Sequence, residues 1–405
     1  MDSSVTSRHV RRLLCVRGLR AFGDGFVSLL LPLYLIGLGL GPFQVGAITA
    51  GTLLGSGVMT LAIGVSAHRF KLRTLLLSAT FMMAATGLGF ATVTNFWPLL
   101  LIAIVGTLNP SSGDVSVFLP LEQAALAHVA TDRERTALFA RYSLVGALMA
   151  AAGALSAGLP GLMVNELGMP MRFALQAMFG LYGAIGLVGA AIYRKLPANF
   201  ASDARAPTAP LRESRRIVYV LAALFSLDAF GGGFIVQSML ALWLFEKFHL
   251  SVGLAATIFF WTGVLTAFSY LLAVRIANRI GLINTMVFTH LPASVLLVLI
   301  PMMPSLSWVI VLLLVRSLLS QMDVPTRSSY VMAVVSPAER AAAASITSVP
   351  RSLASSISPL VAGYLLQVST FGWPLLIGGV LKIVYDLLLL RMFRAVQPPE
   401  EASKP

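Results

Sequence analysis

Charge is what this chain has least of. Only 11% of its 405 residues are Asp, Glu, Lys or Arg, where a soluble protein carries about 25%. That scarcity excludes an ordinary soluble globule. Cysteine is nearly absent: Cys15 stands alone, so no intrachain disulfide can form and thiolate metal chemistry is unsupported. The patterns of catalysis are missing as well. There is no H-E-x-x-H, no Walker loop, no G-x-S-x-G and no Cys/His metal spacing. The chain therefore reads as a non-enzyme with no cofactor and no metal. Its five histidines, His9, His68, His128, His249 and His290, are scattered and mostly near the ends of apolar runs, where solvated or interfacial positions are expected. Short alternating strands, the mark of a membrane β-barrel, are not visible.

What is present is apolar. Hydrophobic residues make up 57% of the chain and its mean hydropathy is +0.86. The runs are long enough for helices that cross a bilayer, which takes about 20 residues each. The lipid bilayer is thus the first partner, and the protein is a polytopic membrane protein.

The net charge of +13 suggests nucleic acid until its distribution is read. Most Lys and Arg fall in the amino tail, the even-numbered loops, a central basic segment and the carboxy tail, while Arg172 and Lys247 lie on the opposite side. This is the positive-inside pattern. It places both termini in the cytoplasm and removes nucleic acid as a partner. Arg8, Arg11 and Arg12 precede an apolar run too long for a signal peptide and broken by Asp24, so that run is the first span and not a cleaved leader.

The predicted spans of the first half cover about residues 15–40, 44–67, 74–93, 97–130 and 135–159, with a sixth ending near Tyr193. Residues 160–170 read as an external loop. The fifth span carries Gly146, Ala150, Gly153 and Ala157, small residues that allow close helix approach. The fourth is interrupted at Asn109-Pro110-Ser111-Ser112-Gly113-Asp114, and a broken helix at membrane depth must be buried in protein or line water. Residues 194–216 are polar, basic and contain Pro197, Pro207 and Pro210, the composition of a linker. Six more apolar runs follow, at about 217–245, 252–274, 282–303, 307–335, 338–367 and 374–392. The organisation is therefore 1–193, a linker at 194–216, 217–394 and a tail at 395–405.

The two halves repeat one another. Pro120 and Glu134-Arg135 return as Pro325 and Glu339-Arg340. Ala21-Phe22-Gly23-Asp24-Gly25-Phe26 returns as Ala229-Phe230-Gly231-Gly232-Gly233-Phe234, and Trp97 returns as Trp308. Six plus six spans, a central linker and a parallel repeat resemble the major facilitator superfamily. The loop from Gly64 to Arg73 looks like that family's G-x-x-x-D-R-x-G-R-[RK] signature: Gly64, Arg69 and Arg73 match, while His68 stands at the acidic position, Lys71 at the second glycine and Leu72 at the following Arg. The resemblance implies an all-α membrane protein with 12 transmembrane helices in two pseudo-symmetric six-helix bundles, working by alternating access on a small-molecule substrate, and expected as a monomer.

Ionisable groups inside membrane spans are costly and usually functional or paired. Asp24 lies about 18 Å along the first helix from Arg12 at 1.5 Å per residue, near mid-membrane. It either binds and releases a proton or pairs with Arg20, four residues earlier on the same face. Drug/proton antiporters of the superfamily commonly use an acidic residue in span 1, and Asp24 is similar in placement. Asp228 precedes Gly231-Gly232-Gly233, which serves as a bending point or as a close-packing surface. Arg316, Asp323 and Arg327 fall on one helical stripe, with Pro325 as a kink. Lys382 and Asp386 are four apart and read as a local pair. Glu122 and Arg327 occupy equivalent positions of spans 4 and 10. They either attract one another in one transport state or stay with Arg141 and Asp323. Asp114 and Arg351 complete the set. Two transport readings follow: proton-coupled efflux of a small organic or amphipathic compound from the cell across the inner membrane, or uptake of a small anionic solute bound by Arg141, Arg316, Arg327 or Arg351. A non-transporting receptor or scaffold is the third reading, and it has no need of these charges.

Overall fold

The computed structural model describes residues 3–66, 70–111, 116–129, 132–197, 211–212, 214–336 and 339–394. His68, Arg69 and Asp114 lie outside them. Among the described residues the protein is helical, with no strand. In chain order the helices are α1 (Ser3–Gly37), α2 (Pro42–Ser66), α3 (Leu72–Thr92), α4 (Phe96–Val105), α5 (Phe118–Val129), α6 (Asp132–Ser156), α7 (Leu159–Leu167), α8 (Met171–Tyr193), α9 (Arg215–Gly233), α10 (Gln237–Phe248), α11 (Val252–Ile280), α12 (Leu282–Leu299), α13 (Leu306–Leu319), α14 (Asp323–Ala333), α15 (Arg340–Val368) and α16 (Trp373–Phe393).

Ten described segments are long and apolar enough to cross a membrane, and α4 is a shorter apolar helix. This is consistent with twelve spans, because the two missing from that ten have physical reasons to escape it. Span 4 is split between α4 and α5. Span 11, α15, is 29 residues long but carries Pro350, Pro359, Arg351 and a series of serines, which lower its hydropathy. Several spans are broken where the sequence suggested one rod. Span 7 parts into α9 and α10 just after its glycines, and span 10 parts into α13 and α14 at residues 320–322. The expected external loop at 160–170 instead begins with α7. Pro160 sits in its first turn, where a missing N–H costs nothing, and Gly168 closes it in the left-handed region at φ +63°.

The chain divides into two compact units. The first holds Met1–Ala204 with Gln237–Phe260, the second Arg205–Val236 with Trp261–Pro405. In the first, α1 packs on α6 and α8, and α3 on α8. The α1–α6 crossing is as close as backbones allow. A Cβ on Gly25 would stand 2.1 Å from the Ala150 carbonyl oxygen, and one on Gly153 2.0 Å from that of Phe22. The small residues of the fifth span thus do the work their spacing implied. In the same unit Leu13, Val16, Leu76, Leu126, Tyr142 and Tyr193 form a buried core.

In the second unit α9 packs on α15 and α16, and α12 on α16. A Cβ on Gly233 would fall 2.4 Å from the Ser355 carbonyl oxygen of α15, and one on Gly231 3.0 Å from that of Gly378 on α16. The glycines after Asp228 are therefore packing surfaces, and the helix also ends at the last of them. The outer surface is apolar, with Leu101, Phe268, Trp308 and Trp261 exposed, as expected where the solvent is lipid. Trp97 and its repeat partner Trp308 are both exposed, while Phe225 and Phe259 are buried.

The ends of the central segment are fastened to helices. Arg73 of α3 donates to the Arg194 carbonyl at 2.8 Å, and Arg12 of α1 donates to the next carbonyl, that of Lys195. Positive charge at a helix C-terminus is favourable, and here two helices supply it to α8. On the far side Glu339, buried just before α15, accepts the N–H groups of Arg212 and Ser214 at the start of α9. That is an N-terminal cap borrowed from another part of the chain.

Candidate functional site

The buried charge of the first unit begins on α1, where Arg17, Arg20 and Asp24 follow one another at helical spacing and are all buried. Arg20 is bound twice to Glu122 of α5, Nη2 to Oε2 at 2.8 Å and Nε to Oε1 at 3.2 Å. Its guanidinium lies 3.9 Å over the Phe118 ring and reaches Ser116. Glu122, fully buried, also takes the hydroxyl protons of Tyr142 from α6 and Tyr193 from α8, the latter at 2.6 Å. Four donors thus converge on one carboxylate, enough to offset its removal from water.

Asp24, one turn further along α1, has nothing comparable. It is 5% exposed, and no ion pair reaches it among the described residues. Asn109 Nδ2 and the Tyr182 hydroxyl each stand 3.5 Å away, at the outer limit of hydrogen bonding. Tyr182 has a single proton to give, and its shorter bond is to the Thr107 carbonyl at 3.0 Å. The surroundings come from the break in span 4. Gly106 ends α4, and residues 107–111 follow without helical structure. Thr107 N–H donates to Thr86, the Pro110 carbonyl accepts the N–H of Ser238 from α10, and Asn109 accepts from Ser111 with its oxygen, which turns its amide nitrogen toward Asp24.

The second unit gathers its charge into one knot. Asp228 of α9 receives Lys382 Nζ of α16 at 2.7 Å and Arg327 Nη2 of α14 at 2.9 Å. Arg327 also pairs with Asp323, one turn before it. His290 of α12 meets Asp386 of α16 at 2.9 Å through Nδ1 and lies 3.7 Å from Asp228 through Nε2. All six groups are buried.

Several expected pairings are replaced. Arg20 turns to Glu122 and not to Asp24. Glu122 takes its bonds from Arg20, Tyr142 and Tyr193 and not from Arg141. Arg141 is exposed on α6 with no partner among the described residues. Arg327 does keep Asp323 but adds Asp228. Lys382 and Asp386 do not pair locally, because each faces a different neighbour, Asp228 and His290. The stripe of Arg316, Asp323 and Arg327 is interrupted, since the break at 320–322 changes the helical register. Arg316 stays half-buried on α13, with its Nε buried and unpartnered. Arg351 is half-buried on α15. Gly64 lies in α2, and Arg73 holds the end of α8. His290, expected near a span end in an interfacial place, is buried in the knot. The groups the sequence did not reveal are Tyr142, Tyr182 and Tyr193, whose hydroxyls leave no trace in hydropathy, and Arg17, whose spacing to Arg20 was a usable signal. Arg17 stacks 4.7 Å over Tyr142.

The comparisons agree on the architecture. A family described as Major Facilitator Superfamily matches residues 13–315 and 221–405. An uncharacterized membrane protein of Saccharomyces cerevisiae is 24% identical, over 96% of this chain and 95% of its own length. Among solved structures, a mutant of the nucleoside transporter NupG has a TM-score of 0.76 at 15% identity, covering 95% of this chain and all of its own. A bacterial homolog of the human lysosomal transporter Spinster, inward-facing and occupied, has a TM-score of 0.71 at 16% identity, over 95% of each chain. The human organic anion transporter MFSD10 has a TM-score of 0.67 at 18% identity, over 95% of this chain and 99% of its own. At these identities the structural likeness speaks to fold.

Proposed function

The chain belongs to the Major Facilitator Superfamily, and we propose that it is a secondary transporter of the drug/proton antiporter type. It exports a small organic or amphipathic compound by alternating access, driven by protons that enter through Asp24. The organisation is two six-helix halves, 1–193 and 217–394, joined by a cytoplasmic linker at 194–216. The chain works as a monomer in the inner membrane with both termini cytoplasmic, and nucleic acid is not a partner.

One observation carries this reading. Asp24 is a buried carboxylate on α1 that holds no ion pair among the described residues and has only two contacts, both at 3.5 Å. No cation pairs with it among the described residues, whereas Glu122 is bound twice by Arg20. Once protonated, its own O–H can donate to Tyr182, whose proton is already given to Thr107. The test is solute flux in proteoliposomes with an imposed pH gradient. Asp24→Asn should fold and insert normally and lose proton-driven exchange. Unaltered pH dependence in that variant would reduce Asp24 to a structural role.

A second reading, uptake of a small anionic solute, is favoured by Arg316. Its guanidinium carries a buried Nε without a partner and makes no ion pair among the described residues. Uphill solute movement in the same direction as protons, lost in Arg316→Gln but retained in Asp24→Asn, would select it over export.

A further inference from the structure

The charge knot of the second unit does not balance. It holds three carboxylates, Asp228, Asp323 and Asp386, against two basic side chains besides the histidine, Arg327 and Lys382. The sixth member, His290, decides the sum. With a neutral imidazole the cluster keeps one uncompensated negative charge, and with a proton it is neutral. All six side chains are buried, from Asp386 at 0% exposed to Lys382 at 8%. An uncompensated charge in such a place costs several kcal/mol.

The geometry points to an exchangeable proton-binding site shared by His290 and Asp386, distinct from Asp24. His290 Nδ1 stands 2.9 and 3.0 Å from the two oxygens of Asp386, so one proton can be held between them. The opposite nitrogen, Nε2, faces Asp228 at 3.7 Å, which favours a second N–H on the ring. Its ring also meets Tyr385 edge-on, with centroids 5.9 Å apart.

Among the described residues, the ion pairs of the cluster bring in no cation beyond Arg327, Lys382 and His290. On α16, Lys382 is engaged by Asp228. On α9, Asp228 is shared with Lys382 and Arg327. On α14, Asp323 and Arg327 are bound to one another. On α13, Arg316 makes no ion pair with the cluster. The proton therefore has to come from outside, and histidine is the side chain whose charge changes in the physiological range. Because the groups act as a unit, the proton belongs to the pair and not to either residue alone. The site does not depend on the transport reading, since it concerns proton binding at equilibrium.

Proton uptake by the purified full chain in detergent tests it, recorded by potentiometric titration between about pH 5 and about pH 8. Wild type should take up one proton more per chain over this range than His290→Gln. Asp386→Asn leaves two acids against two cations, so it should also take up one proton fewer while keeping a hydrogen-bond acceptor for the ring. Lys382→Gln removes a cation and should hold more protons than wild type at the same pH. A merely structural His–Asp contact predicts loss of stability without this ordered change in proton number. Where His290→Gln fails to fold, Asp386→Asn and Lys382→Gln decide the matter between them. If the folded variants bind the same number of protons as wild type, the site does not exist.

Discussion

The two units handle buried charge in opposite ways. The first unit closes one ion pair completely and leaves a carboxylate beside it nearly alone. Glu122 receives four donors, and Asp24, a turn of helix away from Arg20, receives two distant ones. The second unit spreads its charges through a chain of contacts in which every member touches another. In a membrane interior both arrangements must offset the same desolvation. The closed pair is scaffolding, since removing either partner strands the other. The open carboxylate contributes little to holding helices together and is free to change its state. The first unit thus leaves a single carboxylate to change its state alone, whereas in the second any such change is shared by the cluster.

Breaking the closed pair should have the largest effect. Arg20→Leu leaves Glu122 buried with only two tyrosine hydroxyls, and stranding a buried charge costs about 3–5 kcal/mol. Thermal unfolding in detergent should show a chain near the limit of folding, and adding Glu122→Gln should recover much of the loss. A smaller effect is expected from Tyr142→Phe. It removes one of the four donors, and a hydrogen bond to a charged group is worth about 1.5–3 kcal/mol. Asp24→Asn should change stability least, by less than about 1 kcal/mol, since weak contacts at 3.5 Å contribute little. It should nevertheless have the largest effect on proton-driven flux. Equal destabilisation by Asp24→Asn and Arg20→Leu would erase the distinction between the two carboxylates.

Much of the fold was legible because the bilayer enforces it. Apolar length, the basic loops and the recurrence of Pro120 at Pro325 required no knowledge of contacts. The buried charges of the candidate site were legible for the same reason: Asp24, Glu122 and Asp228 stand out in apolar runs. Their partners were not. Arg20 and Glu122 are 102 positions apart, and Lys382 and Asp228 are 154 apart. Helical spacing made nearer residues look like partners. Lys382 with Asp386 and Arg20 with Asp24 both had the right interval and the wrong neighbours, because other helices offered better ones. The stripe through Arg316 failed differently, since an interval predicts a shared face only while the helix is unbroken. His290 was misplaced because a lone histidine in an apolar run gives no sign of the acid opposite.

The clamps at Arg194, Lys195 and Glu339 carry a mechanical consequence. A segment tied only to the last turn of a helix would unzip that helix when pulled. Here tension applied just after α8 passes through the two arginines into α1 and α3 as well. Tension applied just before α9 is shared with the loop that precedes α15 through the Glu339 carboxylate. The end at residue 197 is therefore tied to α1 and α3, and the end at 211 to the residue before α15. Force along it would move bundles and not fray single helices, and a load cell in a single-molecule pulling experiment would read this as rupture in large cooperative steps.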